Sequence, residues 1–351
     1  MSIALLPRAR RLWDELENPV LGREFRSRMR GARSYLITGA YAGVVMTAVL
    51  LVYWTVAANT EPRTGNQLAA EAGRAIWTWG CIAQAVLLPL VVPAFTCGAI
   101  TLERERDLLE LLLLTRQSSF QICTGKAAAG IGLGLMLLLS SVPALALSVI
   151  LGGVAPGEML ACLSVLVSSV LLAGALGLAV STLAPKTVSA TVFVYLLVGL
   201  TLIGLPILEV FLDRANRLSQ SGSELGILAM LGALTVLAFP PALMLGTGFS
   251  WLHRFRRGAP PDRSWLMLVT GLCWAALLLF LYLPGMLSIL LQGQVLLLLH
   301  PVMGVLGVMQ PGAVGSGFGP ILWALCAFAY TSFAACLFLI AVLRVRNLRG
   351  V

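Results

Sequence analysis

Long apolar runs alternate with short polar segments along most of the chain. The runs that are long enough to cross a bilayer as helices cover residues 35–58, 77–101, 127–151, 159–184, 188–211, 225–250, 265–290 and 320–343. A shorter run at 295–310 is interrupted by His300-Pro301, which favours a re-entrant segment over a crossing. The pattern predicts an all-α polytopic membrane protein with eight transmembrane helices.

The composition agrees with this pattern and excludes a soluble domain. The chain has 351 residues, of which 59% are hydrophobic and 11% charged, and its mean hydropathy is +0.93. Soluble globular domains carry about 25% charged residues. The seven cysteines have no Cys-x-x-Cys spacing and no nearby histidine, so no metal site is predicted.

The basic residues determine the expected orientation, because short cytoplasmic loops retain Lys and Arg. Twenty of the 24 Lys and Arg residues fall in segments that would lie on one side. Those segments are 1–34, 103–126, the Lys186 turn, 252–264 and 344–351. The bias predicts both termini in the cytoplasm and the chain in the inner (cytoplasmic) membrane, and it explains the net charge of +9 without a nucleic-acid partner.

Residues 1–34 form a cytoplasmic approach to the first span that contains an amphipathic helix. Asn18-Pro19 is a typical helix start, and Leu21, Phe25 and Met29 then recur on one face. Such a helix lies at the membrane interface with its arginines among anionic lipid headgroups. A basic anchor with no further role is the alternative. The residues assigned to the interface are Arg23, Glu24, Phe25, Arg26 and Arg30.

Residues 103–126, which we call the coupling segment, combine charges with a run of leucines. We expect 103–114 to continue the second span as a helix, 115–119 to turn, and Ser118 or Ser119 to cap a short second helix that leads to Lys126. The leucines are too apolar for a free surface in water, so a protein groove or the bilayer edge should cover them. A solvated run of charges is the alternative.

The order of residues in this segment resembles a known family. Glu105-Arg106, Leu109-Glu110-Leu111-Leu112, Ser118 and Gly125-Lys126 are similar to the segment between the second and third membrane helices in permease subunits of type-2 ABC exporters. Asp107-Leu108 and Arg116 depart from the usual Gly-Thr and Pro of that family. Asn18-Pro19-Val20-Leu21 resembles the N-terminal helix of many of its members.

The resemblance implies a six-helix core and a coupling helix that docks on a separate ABC ATPase. Here the spans at 225–250 and 265–290 form an extra hairpin within the C-terminal part, 213–351, which follows the first five spans at 35–212. It further implies a second permease subunit, as a homodimer or heterodimer. The positions that carry the implied ATPase coupling are Glu103, Glu105, Arg106, Leu109, Glu110, Ser118 and Lys126.

Energy sources are not evident in the chain itself. Gly125-Lys126 resembles the end of a phosphate-binding loop, but Phe120 and Ala127 stand where that loop needs Gly and Ser or Thr. Ionisable groups that would serve an ion-coupled carrier are nearly missing from the centres of the spans. We therefore predict no catalytic residue and no cofactor here, with ATP and magnesium in the partner.

A hydrophobic or lipid-linked cargo fits the apolar spans, although exporters of polar cargo share this pattern. A membrane scaffold or assembly subunit without transport activity is the alternative, and a secondary transporter is third.

Prolines and glycines mark candidate moving parts. Pro89 and Pro93 should bend the second span, and His300-Pro301 interrupts the later apolar run. We assign these four residues to kinking or gating, with an inert kink and a hydrogen-bonded structural histidine as alternatives. Small residues in spans three and four, such as Gly130 and Gly177, should allow those two helices to pack closely as antiparallel neighbours.

Overall fold

The computed structural model describes residues 19–29, 32–59, 65–114, 117–204, 300–309 and 319–349, and all regular structure in these ranges is helical. The helices are α1 Pro19–Met29, α2 Ala32–Asn59, α3 Gly65–Thr96, α4 Thr101–Glu105, α5 Leu109–Leu113, α6 Ser119–Ser140, α7 Val142–Leu151, α8 Pro156–Leu183, α9 Thr187–Gly199, α10 Pro301–Met309 and α11 Gly319–Arg349. A π-helical turn, Leu200–Gly204, follows α9.

Five helical stretches of the described chain are long and apolar enough to cross a membrane. They are Ser34–Ala58, Ala69–Glu105, Ser119–Leu151, Pro156–Leu183 and Trp323–Leu348. Each overlaps a predicted span, which confirms an all-helical membrane architecture. The predicted spans at 225–250 and 265–290 lie outside the described residues, as do 205–211 of the predicted fifth span and 295–299 and 310 of the shorter run. The count of eight and the orientation therefore stay predictions.

The second span begins earlier than predicted. The predicted span starts at residue 77, whereas α3 starts at Gly65 and includes Asn66 and Glu71. The added turns pack against α7, because a Cβ on Gly73 would meet the backbone oxygens of Ser148 and Gly152. Ala72 and Ile76 are 2% and 1% exposed, and their packing stabilises the first turns of α3. The polar residues in these turns had led to the prediction of a later start.

The coupling segment does not continue the second span as one helix, so that prediction is wrong. α3 ends at Thr96, a turn leads into α4, and the chain breaks again before α5. Asp107 causes the second break, since it adopts φ = 56°, a left-handed conformation that Asp tolerates better than most residues.

Ser118 caps the next helix, as predicted. Its hydroxyl accepts the Gln121 N–H at 3.1 Å while the Gln121 side chain accepts the Ser118 N–H at 2.9 Å, a reciprocal capping box. The helix is not the short one expected before Lys126, because α6 runs on to Ser140. The third span then continues as α7 after a break at Ser141, two residues before Pro143.

Two compact units are present. The first contains 1–155, 166–195 and 331–351, and the second contains 156–165 and 196–330. In the second unit, His300 Nε2 lies 3.2 Å from the Leu202 carbonyl oxygen in the π-helical turn, and Gly304 of α10 packs against Val165 and Cys326. The coupling segment belongs to the first unit.

Glycines let two spans of the first unit approach Thr96 at the end of α3. A Cβ on Gly130 of α6 would meet the Thr96 side chain, and one on Gly177 of α8 would meet Thr96 Oγ1 and the Cys97 backbone nitrogen. Between α7 and α8, Gly152 and Gly153 have φ of 81° and 89°, which permits the short predicted connection. A Cβ on Gly134 of α6 would meet Val170 of α8, and one on Gly174 of α8 would meet Ile131 of α6, so the predicted close packing of spans three and four is confirmed.

We expect Gly177→Ala to lower stability by about 1–3 kcal/mol, the usual cost of overpacking a tight contact. The added methyl group has to displace Thr96 and the adjoining backbone. Melting temperature of the purified protein in detergent measures the effect. Gly39→Ala is the control, because nothing lies within 4 Å of a Cβ at that position; equal melting temperatures for the two variants would contradict the prediction.

Candidate functional site

The coupling segment is held at its base by the end of α8. The Ser181 hydroxyl accepts the backbone N–H groups of Ile100 at 2.9 Å and Thr101 at 3.2 Å. These are donors at the start of α4, which have no partner within the helix. The N-cap residue Ile100 has no polar side chain, so Ser181 replaces the missing cap from another helix.

Arg104 holds the same two helices together from the other direction. One guanidinium nitrogen donates to the Ala184 carbonyl oxygen at 2.6 Å and the other lies 3.4 Å from the Thr182 carbonyl oxygen. Carbonyl groups at the end of a helix lack intrahelical donors and carry partial negative charge. The Arg104 side chain of α4 therefore supplies hydrogen-bond donors to the carbonyl groups at the C-terminus of α8.

Glu105 completes this arrangement at the start of the next helix. Its carboxylate accepts the Thr187 N–H at 2.7 Å and the Thr187 hydroxyl at 3.0 Å, where α9 begins. A carboxylate at a helix N-terminus is favourable for both hydrogen bonding and the helix dipole. Arg104 and Glu105 thus bind opposite sides of the tight turn at Pro185-Lys186.

A buried ion triad joins the coupling segment to α1 and α6. Lys126 Nζ lies 2.7 Å from Glu103 Oε1 and 3.2 Å from Glu24 Oε1, and the lysine side chain is 2% exposed. The carboxylates are 18% and 20% exposed. The three charges come from helices that are far apart in sequence, so the ammonium group connects α1, α4 and α6 at one point.

An apolar cluster, the coupling-segment core, supports these polar contacts from within the first unit. Leu109 of α5 is 9% exposed in it, next to residues of α6, α8 and α11. Its members are Ala99, Ile100, Leu109, Cys123, Ala127, Leu178, Ala341 and Val345, with Ile131, Phe338 and Val342 partly buried against it. Leu109 is therefore an internal anchor of the segment.

Residues 106–114, which we call the tip, project from this anchored base. Arg106 and Asp107 are exposed, and the exposed fractions of Leu108, Leu111 and Leu114 are 45%, 63% and 83%. Glu110 lies within α5. The tip thus presents leucines outward, whereas Glu103, Arg104 and Glu105 turn their charges toward the protein.

The remaining predicted site residues occupy separate places. Of the interface residues, Arg23 and Arg26 are exposed and Arg26 Nε donates to the Gly22 carbonyl at 2.9 Å. The Phe25 ring packs on α6, where a Cβ at Gly132 would lie 3.0 Å from Cε2. Arg30 falls outside the described residues.

The predicted gating residues lie in helices other than those of the coupling segment. Pro89 and Pro93 lie inside α3, and Tyr195 of α9 donates to the Leu90 carbonyl at 3.0 Å between them. His300 and Pro301 lie at the start of α10 in the second unit.

Sequence reasoning did not identify Ser181, Thr187 and Glu24 as partners of the coupling segment. Ser181 and Thr187 flank the Pro185-Lys186 turn, where helix ends require capping groups. The need for capping groups at these helix ends was the available signal. It is not specific, because a serine in an apolar span has the same local sequence whether its hydroxyl caps a distant helix or bonds a carbonyl of its own helix.

Comparison with known proteins identifies a family. A family model described as an ABC-2 family transporter protein matches residues 19–283, a range that includes the whole coupling segment. No curated protein matches the chain.

We expect Lys126→Met to lower stability by about 3–5 kcal/mol, since it leaves two partly buried carboxylates without their shared cation. The melting temperature in detergent should fall sharply. Lys186→Met is the matched control, because Lys186 is exposed and the same substitution there should change little. A fall of equal size in both variants would show that the triad has no special role.

We expect Ser181→Ala to cost about 1–2 kcal/mol through the loss of the cap on α4. Ser169→Ala is the control, as the Ser169 hydroxyl donates only to the Leu166 carbonyl of its own helix at 2.7 Å. Hydrogen exchange of the α4 amides provides the local measurement. Faster exchange at residues 100–105 in the Ser181 variant alone is the expected result, and unchanged protection there would refute the cap.

Proposed function

The chain belongs to the ABC-2 family of transporter proteins, and we propose that it is the membrane-spanning permease subunit of an ABC exporter. In this proposal a separate ATPase subunit binds and hydrolyses ATP with magnesium. The permease receives the resulting movement through the coupling segment and exports a cargo across the inner membrane. Residues 103–126 then lie on the cytoplasmic side with both termini.

The observation that carries the proposal is the leucine-bearing tip on an anchored base. Leu108, Leu111 and Leu114 are exposed on a stretch of only seven residues, beside the exposed Arg106 and Asp107. Exposed apolar patches edged by polar groups are typical of protein interfaces. A groove on the ATPase would cover these leucines, and Arg106 and Asp107 would make polar contacts at its edge.

The anchoring contacts support the idea that this surface transmits force. A docking loop without internal contacts would bend when its partner moved. Here the base is tied to α8 by Ser181 and Arg104, to α9 by Glu105, and to α1 and α6 through Lys126. Displacement of the tip would therefore move several helix ends together.

These contacts also revise which predicted residues would touch the ATPase. Glu103, Glu105, Ser118 and Lys126 have partners within the chain, and Leu109 is buried. We assign them to positioning the tip, and we assign ATPase contact to Arg106, Leu108, Leu111 and Leu114. Glu110 shares α5 with Leu111 and stays in the contact set.

The rest of the assembly follows from the family. A second permease subunit would complete the transport path, and the exposed apolar surfaces of the spans would contact it or lipid. Arg23 and Arg26 on the exposed side of α1 are placed to meet anionic headgroups. The apolar spans favour a hydrophobic or lipid-linked cargo.

Leu114→Ser tests the docking surface. We expect it to reduce the permease-stimulated ATP turnover of the reconstituted complex at least tenfold, because it removes an 83% exposed leucine from the proposed interface, and central apolar contacts dominate interface energies. Membrane insertion and melting temperature of the isolated chain should not change.

Ile150→Ser is the matched control. Ile150 is 82% exposed at the end of α7, in the same unit as the tip but at the opposite end of the third span, so stimulation should persist. Normal stimulation in the Leu114 variant, together with normal copurification of the ATPase, would reject the docking surface. Normal turnover without any dependence on the permease would favour the scaffold alternative.

A further inference from the structure

Two arginines of the first unit emerge from helix faces that pack against each other. Ile100 at the start of α4 and Ala341 and Val345 of α11 share the coupling-segment core. Arg104 lies four residues after Ile100, and its N–H bonds to the Ile100 carbonyl at 3.0 Å. Arg344 lies three residues after Ala341. Residues three or four apart share one face of a helix, so the core places both guanidinium groups at its edge.

Arg344 lacks a partner of opposite charge among the described residues. Arg344 is near enough to Arg104 for electrostatic repulsion between them. Its Nε is buried without a hydrogen-bond partner, and within the described part of the chain its guanidinium group has no ion pair. An unpaired charged donor in a half-buried position is costly unless an anion or water meets it.

The carboxylates on either side of Arg104 are not paired with it. Glu103 Oε1 lies 2.7 Å from Lys126 Nζ, Glu103 Oε2 is buried without a hydrogen-bond partner, and both oxygens of Glu105 bind Thr187. Arg104 uses two guanidinium nitrogens on the carbonyl oxygens of Ala184 and Thr182, which fixes its orientation and leaves further N–H donors of its five. Among the described residues, the arginines thus form a pair of donors with no ion pair to a carboxylate.

We propose that Arg104 and Arg344 bind the phosphate group of an anionic phospholipid. Both lie at the ends of candidate membrane spans, the depth at which headgroup phosphates occur. The guanidinium fork matches the geometry of phosphate oxygens. Exposed leucines at the same helix ends, Leu102 of α4 and Leu339 of α11, provide apolar surface for acyl chains. The site is independent of ATPase docking, because neither arginine belongs to the tip.

The test is a titration of the purified chain in neutral detergent with dioleoylphosphatidylglycerol, with the melting temperature of each variant read against its own lipid-free value. Stabilisation of the unaltered chain by this lipid, and much less by dioleoylphosphatidylcholine, is expected. Arg344→Gln should weaken binding about tenfold, the value of one charge-assisted hydrogen bond. Arg344→Lys should weaken it several-fold, because the ammonium group lacks the fork.

Arg346→Gln is the matched control, because Arg346 lies on the same helix but is exposed and points from a different face; its lipid affinity should stay within twofold. Equal weakening in both glutamine variants would mean general charge attraction and would overturn the site.

Inorganic phosphate at matched concentration separates the possible sources of the anion, and equal stabilisation by phosphate would reject the lipid. Unchanged lipid affinity in both Arg344 variants, with weaker ATPase binding, would assign the surface to the protein partner instead.

Discussion

The arrangement of this protein around its coupling segment depends on one buried ammonium group. Lys126 is 2% exposed, so its charge is tolerable only while Glu24 and Glu103 stay within about one hydrogen-bond length. That condition fixes the positions of α1, α4 and α6 relative to each other. The apolar spans cannot do so alone, because a helix that is hydrophobic on all sides has no preferred face in lipid.

The same logic explains why the charged segment turns its charges inward. At the base of the coupling segment, α8 ends and α4 and α9 begin, and each of these helix ends has backbone groups that need partners. Arg104, Glu105 and Ser181 meet those needs through contacts between helices. With the polar residues committed to the base, the surface left at the tip consists mainly of leucines. Polar residues build the support, and apolar residues form the contact.

Sequence reasoning recovered the five spans of the described residues because length and hydropathy are local properties. It also recovered the Ser118 cap, whose two partners are three residues apart. It missed the break at Asp107, where a single backbone conformation interrupts an otherwise helical pattern. The partners of Glu103, Arg104 and Glu105 were out of reach for a different reason. They lie 23 to about 80 residues away, and a carboxylate that caps a distant helix has the same local pattern as one that faces an ATPase.

The anchored base constrains how movement can enter the spans under the proposed function. Separation of α4 from its neighbours would expose the Lys126 triad and uncap α8 and α9 together, at a cost of several kcal/mol. Movement of α4 with α1, α6 and α8 as one group avoids that cost. The contact of Thr96 with Gly130 and Gly177 joins α3 to the same group just beyond α4. Bending is then easiest farther along α3, at Pro89 and Pro93, where the prolines have already removed backbone hydrogen bonds. α3 therefore bends at the prolines, because its end at Thr96 is held by contacts with α6 and α8.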